Sequence, residues 1–292
     1  MDQLALIHKI RVLIQTPATD IFFICWNYVD TSFVMLLISA VFWVVYRGDF
    51  GIRVFYIALT NSVINSAIKS IFMIPRPITV DPSLVLVHVS GYSFPSGAAQ
   101  TAMWLPLLLG LHFRNKAVWI GGLCFLLVHS FSRIYLGAHY PTDILGGWIV
   151  GGLLLAILYK PSIKLAEILF SGDKKIQIAL MVIIPGLLYL IARDQTSILC
   201  AIAALGAQVG IFINPKLANN KPPANSTEIF KRLVVVGAGF AAILLVFLVG
   251  PIAHALPKIS SLMIAAFAAT LWMSLGANAT LSIINKNNGY RK

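Results

Sequence analysis

A chain of 292 residues that is 59% hydrophobic and only 11% charged is not an ordinary soluble domain, because such domains carry roughly 25% charged residues. Its mean hydropathy of +0.86 and its many long apolar runs suit a bilayer, which takes about 20 residues per crossing helix. The formal net charge of +12 does not point to nucleic acid, since the basic residues fall mainly in short loops between apolar runs, a topological signal of membrane proteins.

In chain order, residues 3–16 alternate apolar and polar at helical spacing around Lys9 and Arg11, which predicts an amphipathic helix lying in the interface. The start, Met1-Asp2-Gln3-Leu4, lacks the basic, apolar and small-residue regions of a removable signal peptide. Spanning helices are expected over 21–46 (broken near Asn27–Asp30), 54–73, 98–113, 117–136, 143–159, 176–192, 197–213, 233–250 and 260–284. The polar, Pro-rich stretch 214–230 reads as a connecting loop. Cys25, Cys124 and Cys200 show no pairing or metal-ligand spacing and read as packing residues. Gly147-xxx-Gly151 permits a close helix approach.

Lys and Arg are unevenly shared between alternate ends of these spans. Fifteen fall on one set of ends, from Arg47 and Arg53 through Lys216, Lys221, Lys231 and Arg232 to Lys292. Four fall on the other: Lys9, Arg11, Arg193 and Lys258. The positive-inside rule makes the first set cytoplasmic. The polar motifs are then expected to face the periplasm or exterior, and the short loops without organelle signals favour the cell inner (plasma) membrane, multi-pass.

Those motifs are three short strings. Lys69 and Arg76 lie seven residues apart, with Pro75 and Pro77 bracketing the Arg, so a helix is expected to end there and hold the guanidinium on a rigid turn. Arg offers phosphate oxygens a planar fork and Lys a point charge. Phe94-Pro95-Ser96-Gly97 precedes an apolar run, so Ser96 and Gly97 stand at a helix N-terminus, where N–H groups and the dipole favour an anion. Ser132-Arg133 is followed by His139 and Asp143, four residues apart across Pro141. That spacing lets the carboxylate accept one ring proton of His139 and leaves the other nitrogen as a nucleophile. Charged groups are costly at membrane depth, so together they are read as a functional site.

The three strings resemble the signature of the type 2 phosphatidic acid phosphatase superfamily: Kx6RP, PSGH and SRx5Hx3D. The first and third match in full and the second in three of four residues, within a stretch of about 20–160. The resemblance implies a six-helix membrane core; with the placing of the motifs and apolar runs, the expectation is an all-α, polytopic membrane helical bundle, a phosphatase-type core over 1–165 and then about four further transmembrane helices of unassigned role over 166–292. It implies catalysis by His139, which forms a phosphohistidine, and by Asp143, which orients it. Lys69, Arg76, Ser96, Gly97 and Arg133 would bind phosphoryl oxygens, with no metal and no cofactor. The implied partners are a membrane lipid phosphate (polyprenyl diphosphate, phosphatidylglycerol phosphate or phosphatidic acid class) and the bilayer; apart from the resemblance, the C-terminal helices are a candidate interface for a homodimer.

Ala98 departs from this pattern. It stands where the resemblance implies a His that protonates the leaving alcohol, and general-acid help is typically worth about 10²–10⁴ in rate. An introduced inactivating substitution and a native feature of a slow or binding-only relative are both open readings. His88 and His129 are the possible replacements, against a plain loop role for the first and helix packing for the second. Besides a lipid phosphatase, the sequence leaves open a catalytically silent lipid-phosphate-binding relative and a transporter built on the C-terminal helices.

Overall fold

The computed structural model describes residues 3–249 and 257–289. Helices come in the order α1 (Gln3–Ile14), α2 (Pro17–Trp26), α3 (Ser32–Ala40), α4 (Gly48–Phe72), the short α5 (Pro77–Val80), α6 (Gly97–Phe113), α7 (Lys116–Tyr135), α8 (Pro141–Phe170), α9 (Lys174–Ala192), α10 (Gln195–Ile213), the short α11 (Pro215–Ala218), α12 (Ser226–Val249), α13 (Lys258–Leu271) and α14 (Ala277–Gly289). A π turn, Val41–Tyr46, extends α3, and another, Trp272–Gly276, joins α13 to α14. No strand occurs among the described residues. The protein is an all-α, polytopic membrane bundle.

Among the described residues, seven helices are long and apolar enough to cross a bilayer, or eight if α2 and α3, bent by 60° at Asn27–Asp30, form one broken span. The predicted ninth span is α6, whose 17 residues sit at the short end of the usual range of about 17–25. Outward faces are apolar where lipid would lie. On α8 the side chains of Leu145, Ile149, Leu153 and Ile157 are 53–69% exposed at four-residue spacing, which puts them on one stripe.

Two compact units divide the chain: residues 1–35 with 64–159, and residues 36–63 with 160–292. All three polar strings lie in the first. In that unit α1 is a helix as predicted, with Ile7 packed on Ile78 and Leu84. Arg11, read from sequence as an interfacial charge, is instead buried, donating from Nε to the Tyr135 carbonyl (3.0 Å) and from Nη2 to the Leu84 carbonyl (2.5 Å). The second unit packs around Trp43, Phe55, Ala204, Ala207 and Met273. Arg232, counted from sequence at the end just before the span 233–250, lies there inside a helix. α12 begins at Ser226, capped by the Asn225 carboxamide, which accepts from Glu228 N–H at 2.9 Å. Arg232 is thereby carried into the helix, where it is buried and bonds Glu228 and the Val44, Val45 and Lys221 carbonyls. Of the cysteines only Cys200 is buried; Cys25 and Cys124 are exposed, so packing explains one of the three.

Candidate active site

Four helix ends carry the polar strings. These are the C-termini of α4 and α7 and the N-termini of α6 and α8, the alternation expected of an up-and-down bundle. α4 ends at Phe72, a little before the predicted turn, and Met73 takes φ 49°. Arg76 then stands as the N-cap of α5 with Pro77 at its first position. Lys69, in the last turn of α4, donates from Nζ to the carbonyls of Tyr92 (2.5 Å) and Ser93 (3.0 Å). One turn earlier, Asn65 donates to the Pro95 carbonyl at 3.0 Å and anchors the Pro-Ser-Gly turn.

That turn is seated by glycines. A Cβ on Gly147 would lie 2.6 Å from the Ser96 carbonyl, and one on Gly151 would lie 2.5 Å from the Gln100 carbonyl. The Gly147-xxx-Gly151 spacing therefore lets α8 meet the backbone of α6's first turn. Ser96 is the N-cap of α6, its hydroxyl accepting from Ala99 N–H at 3.3 Å and its own N–H donating to the Asp143 carbonyl at 3.0 Å. Ala98 is buried in that first turn.

α7 is stopped by Gly137 at φ +65°, a left-handed residue of the kind that closes helices. Ala138 and His139 then donate backbone N–H to the Arg133 carbonyl at 3.0 and 3.2 Å. His139 lies in this loop, and α8 starts two residues on, so a loop leading into a helix, not a continuous helix, relates it to Asp143. Asp143 is the third residue of α8, and its carboxylate accepts the Tyr140 N–H at 2.7 Å, one half of a capping box.

His139 and Asp143 are 96% and 99% buried. Their Nδ1 and Oδ2 atoms stand 3.5 Å apart. On the far side of the ring, Arg76 Nη1 lies 3.1 Å from Nε2 and donates to the Ala138 carbonyl at 2.9 Å, while Nε donates to the Gly91 carbonyl at 3.0 Å. A guanidinium can only donate. Nε2 must therefore hold the lone pair and Nδ1 the proton. Burial lowers the imidazole pKa below its ordinary value; Asp143 opposes that shift, and the charges of Arg76 and Lys69 add to it. The neutral ring, with Nε2 aimed at a cation, is the state a nucleophile needs.

Thus Lys69, Arg76, Ser96, His139 and Asp143 are linked through one set of backbone and side-chain bonds. Gly97 abuts it: a Cβ there would lie 3.2 Å from Asn65 Oδ1. Arg133 joins through its carbonyl; its guanidinium reaches Asn27 Oδ1 at 2.7 Å and Ser132 Oγ at 3.0 Å. His129 is a packing residue: it stacks on Phe125 and accepts from Trp26 Nε1 at 3.0 Å. His88 is exposed in its loop. Sequence reasoning missed Asn65, Asn27 and Ser93, whose hydroxyl donates to Asp143 Oδ2. For Asn65 a signal existed, a carboxamide four residues before Lys69 on an apolar helix. Among the described residues no three His, Cys, Asp or Glu side chains group as metal ligands.

Residues 50–164 match the PAP2 superfamily. They form a PAP2 superfamily domain. The chain is 32% identical over 117 residues to undecaprenyl-diphosphatase BcrC of Bacillus subtilis, covering 40% of this chain and 55% of that protein. It is 33% identical over 120 residues to phosphatidylglycerophosphatase B of the same organism, covering 38% and 56%. With sphingosine-1-phosphate phosphatase 2 of Mus musculus it shares 29% identity over 212 residues, 63% of this chain and 59% of the relative. The chain spans about half the length of the curated bacterial relatives just described. No solved structure matches it.

Proposed function

We propose that this protein is an integral-membrane lipid phosphatase acting on a lipid phosphate or diphosphate at the outer face of a plasma membrane. The observation that carries the reading is Arg76 Nη1 at 3.1 Å from His139 Nε2: a buried neutral imidazole whose lone pair meets a phosphate-binding cation. A phosphoryl group entering there would exchange Arg76's carbonyl partners for its own oxygens, with Lys69 beside it and the α6 N-terminus at Ser96 and Gly97 contributing N–H groups. Nε2 attacks phosphorus, the leaving group departs with its bonding electrons, and a phosphohistidine remains. Water then attacks phosphorus, frees inorganic phosphate and returns the lone pair to Nε2. Asp143 stabilises the ring while it carries positive charge.

Ala98 selects among substrates. A methyl group cannot protonate a departing alkoxide, whereas a lipid diphosphate loses a lipid phosphate that needs little protonation. Diphosphates such as a polyprenyl diphosphate are therefore the favoured class. The undecaprenyl-diphosphatase and phosphatidylglycerophosphatase names of the relatives support a lipid phosphate substrate. Ala98 also favours a second reading, a silent relative that binds lipid phosphate without turnover.

Trapping tests the chemistry. Protein in detergent, mixed briefly with a polyprenyl diphosphate carrying ³²P at the terminal phosphate, should acquire an acid-labile, base-stable label. His139→Gln should not. Tight substrate binding without label or phosphate release, in both this chain and Ala98→His, selects the silent relative.

A further inference from the structure

The second unit holds a polar cavity of about 220 Å³ between α11, the first turns of α12 and α14. Its walls carry three cations, Lys216, Lys231 and Arg232, and one carboxylate, Glu228. The carboxylate is fully engaged: Oε1 takes Arg232, and Oε2 accepts the Ala224 N–H at 2.7 Å. Arg232 is engaged as well, its Nη1 donating to the Val44, Val45 and Lys221 carbonyls. The positive charge of Lys216 and Lys231 is left over.

Surplus Lys beside a loop is ordinary at the cytoplasmic ends of membrane helices. Two carboxamides go further. Asn278, Ser282 and Asn285 follow one another at spacings of four and three, so α14 turns a polar stripe to the cavity. Asn278, the most buried of the three, is 6% exposed, and its Nδ2 has no hydrogen-bond partner among the described residues. Asn220 is oriented by its Nδ2, which donates to the Val44 carbonyl at 2.6 Å; its Oδ1 is buried and likewise unpartnered. Buried polar atoms are costly to leave unpaired, so an occupant should accept at Asn278 and donate at Asn220. One water satisfies both in kind, but it takes only about 30 Å³ and does nothing for the two lysines.

We infer that this cavity binds a phosphate group bearing a hydroxyl. Lys216 and Lys231 neutralise it, Asn278 Nδ2 donates to a phosphoryl oxygen, and Asn220 Oδ1 accepts the O–H. Two sources supply that chemistry: inorganic phosphate, which keeps a proton at neutral pH, and an anionic phospholipid headgroup with free hydroxyls, such as phosphatidylglycerol. Basic pockets between membrane helices recognise lipid headgroups in this way. Exposed Phe230 and Ile283, next in sequence to Lys231 and Ser282, offer apolar surface for acyl chains. The positive-inside count assigns the loop 214–230 to the cytoplasm, so the source is the cytosol or the inner leaflet. None of these residues takes part in the proposed catalysis.

Full-length protein is immobilised in neutral detergent, and binding of ³²P-orthophosphate and of ³²P-phosphatidylglycerol is measured by scintillation proximity. The catalytic pocket takes both probes as well, so the cavity is read as the part lost in Lys216→Gln/Lys231→Gln. That variant should bind one equivalent fewer of at least one probe. Asn278→Leu, similar in size and without a donor, should weaken the same component on the order of 10–100-fold, as expected for one hydrogen bond to a charged group. Lys160→Gln/Lys164→Gln, exposed cations of α8 outside the cavity, should change neither. Loss confined to orthophosphate assigns the free ion, and loss confined to phosphatidylglycerol assigns the lipid. Equal saturable binding of both probes by the parent and Lys216→Gln/Lys231→Gln overturns the site, whether or not Asn278→Leu folds. So does an equal loss in Lys160→Gln/Lys164→Gln, which makes the attraction diffuse charge. Sulfate has no proton to give at neutral pH and should displace orthophosphate poorly; equal displacement overturns the role of Asn220.

Discussion

Replacing Ala98 by His is the most discriminating perturbation. A general acid is typically worth about 10²–10⁴ in rate, or roughly 3–5 kcal/mol of barrier. Ala98 is 1% exposed in the first turn of α6, so an imidazole there must be fitted into packed surroundings at about 1–3 kcal/mol of stability. The two magnitudes act on different quantities: packing lowers the folded fraction, while the acid speeds each folded molecule. Rates should therefore be normalised to folded protein by size-exclusion recovery and a thermal midpoint. Phosphate release is then followed from phosphatidic acid and from a polyprenyl diphosphate, with this chain and Ala98→His side by side. The monoester rate should rise by two to four orders of magnitude, and the diphosphate rate by less than about tenfold, because only the alkoxide needs a proton. Equal gains on both substrates would refute the leaving-group argument. No gain on either would refute the assignment of position 98.

Three further outcomes are expected. Because the folded pKa of His139 is lowered, the ring stays neutral below the ordinary imidazole value of about 6.5; the acid limb of kcat/KM for Ala98→His should lie below that pH. The unfolded chain binds a proton there and the folded one does not, so this contribution is present above about pH 6.5 and is lost as pH falls toward the lowered value. The melting temperature should drop over that interval, and His139→Gln should flatten the slope. Gly147→Ala and Gly151→Ala place a methyl 2.6 and 2.5 Å from backbone oxygens and should each cost about 1–3 kcal/mol in denaturant unfolding. Gly186→Ala, with nothing within 4 Å, should be neutral or stabilising by up to about 1 kcal/mol. Arg76→Lys, assayed for phosphate release in the Ala98→His background, should lower kcat/KM by on the order of 10²-fold, since one ammonium cannot replace a fork that meets the Gly91 and Ala138 carbonyls and His139 together.

Much of this protein could be read from its chain of residues. Nine apolar runs became helices because a backbone in lipid must satisfy its own hydrogen bonds, and length alone shows which runs can do so. The break at Asn27–Asp30 and the end of α4 before Arg76 followed from local polarity and from proline. His139 and Asp143 were legible because their spacing across Pro141 belongs to one turn of chain. Arg11 was misread because a charge interrupting an amphipathic helix looks interfacial until the distant carbonyls that bind it are seen.

Partners far apart in sequence were a matter for the fold. Ser93 lies 50 residues from Asp143, and no periodicity links an extended loop to the first turn of a helix. Arg76 meets His139 across 63 residues, so the sequence named both groups but not the tautomer that their contact imposes. The chain order specifies which chemical groups reach the same end of four helices. Which atom faces which is decided only when α6 and α8 close on their glycines, because hydrogen-bond direction depends on ångström-scale positions that local sequence does not encode.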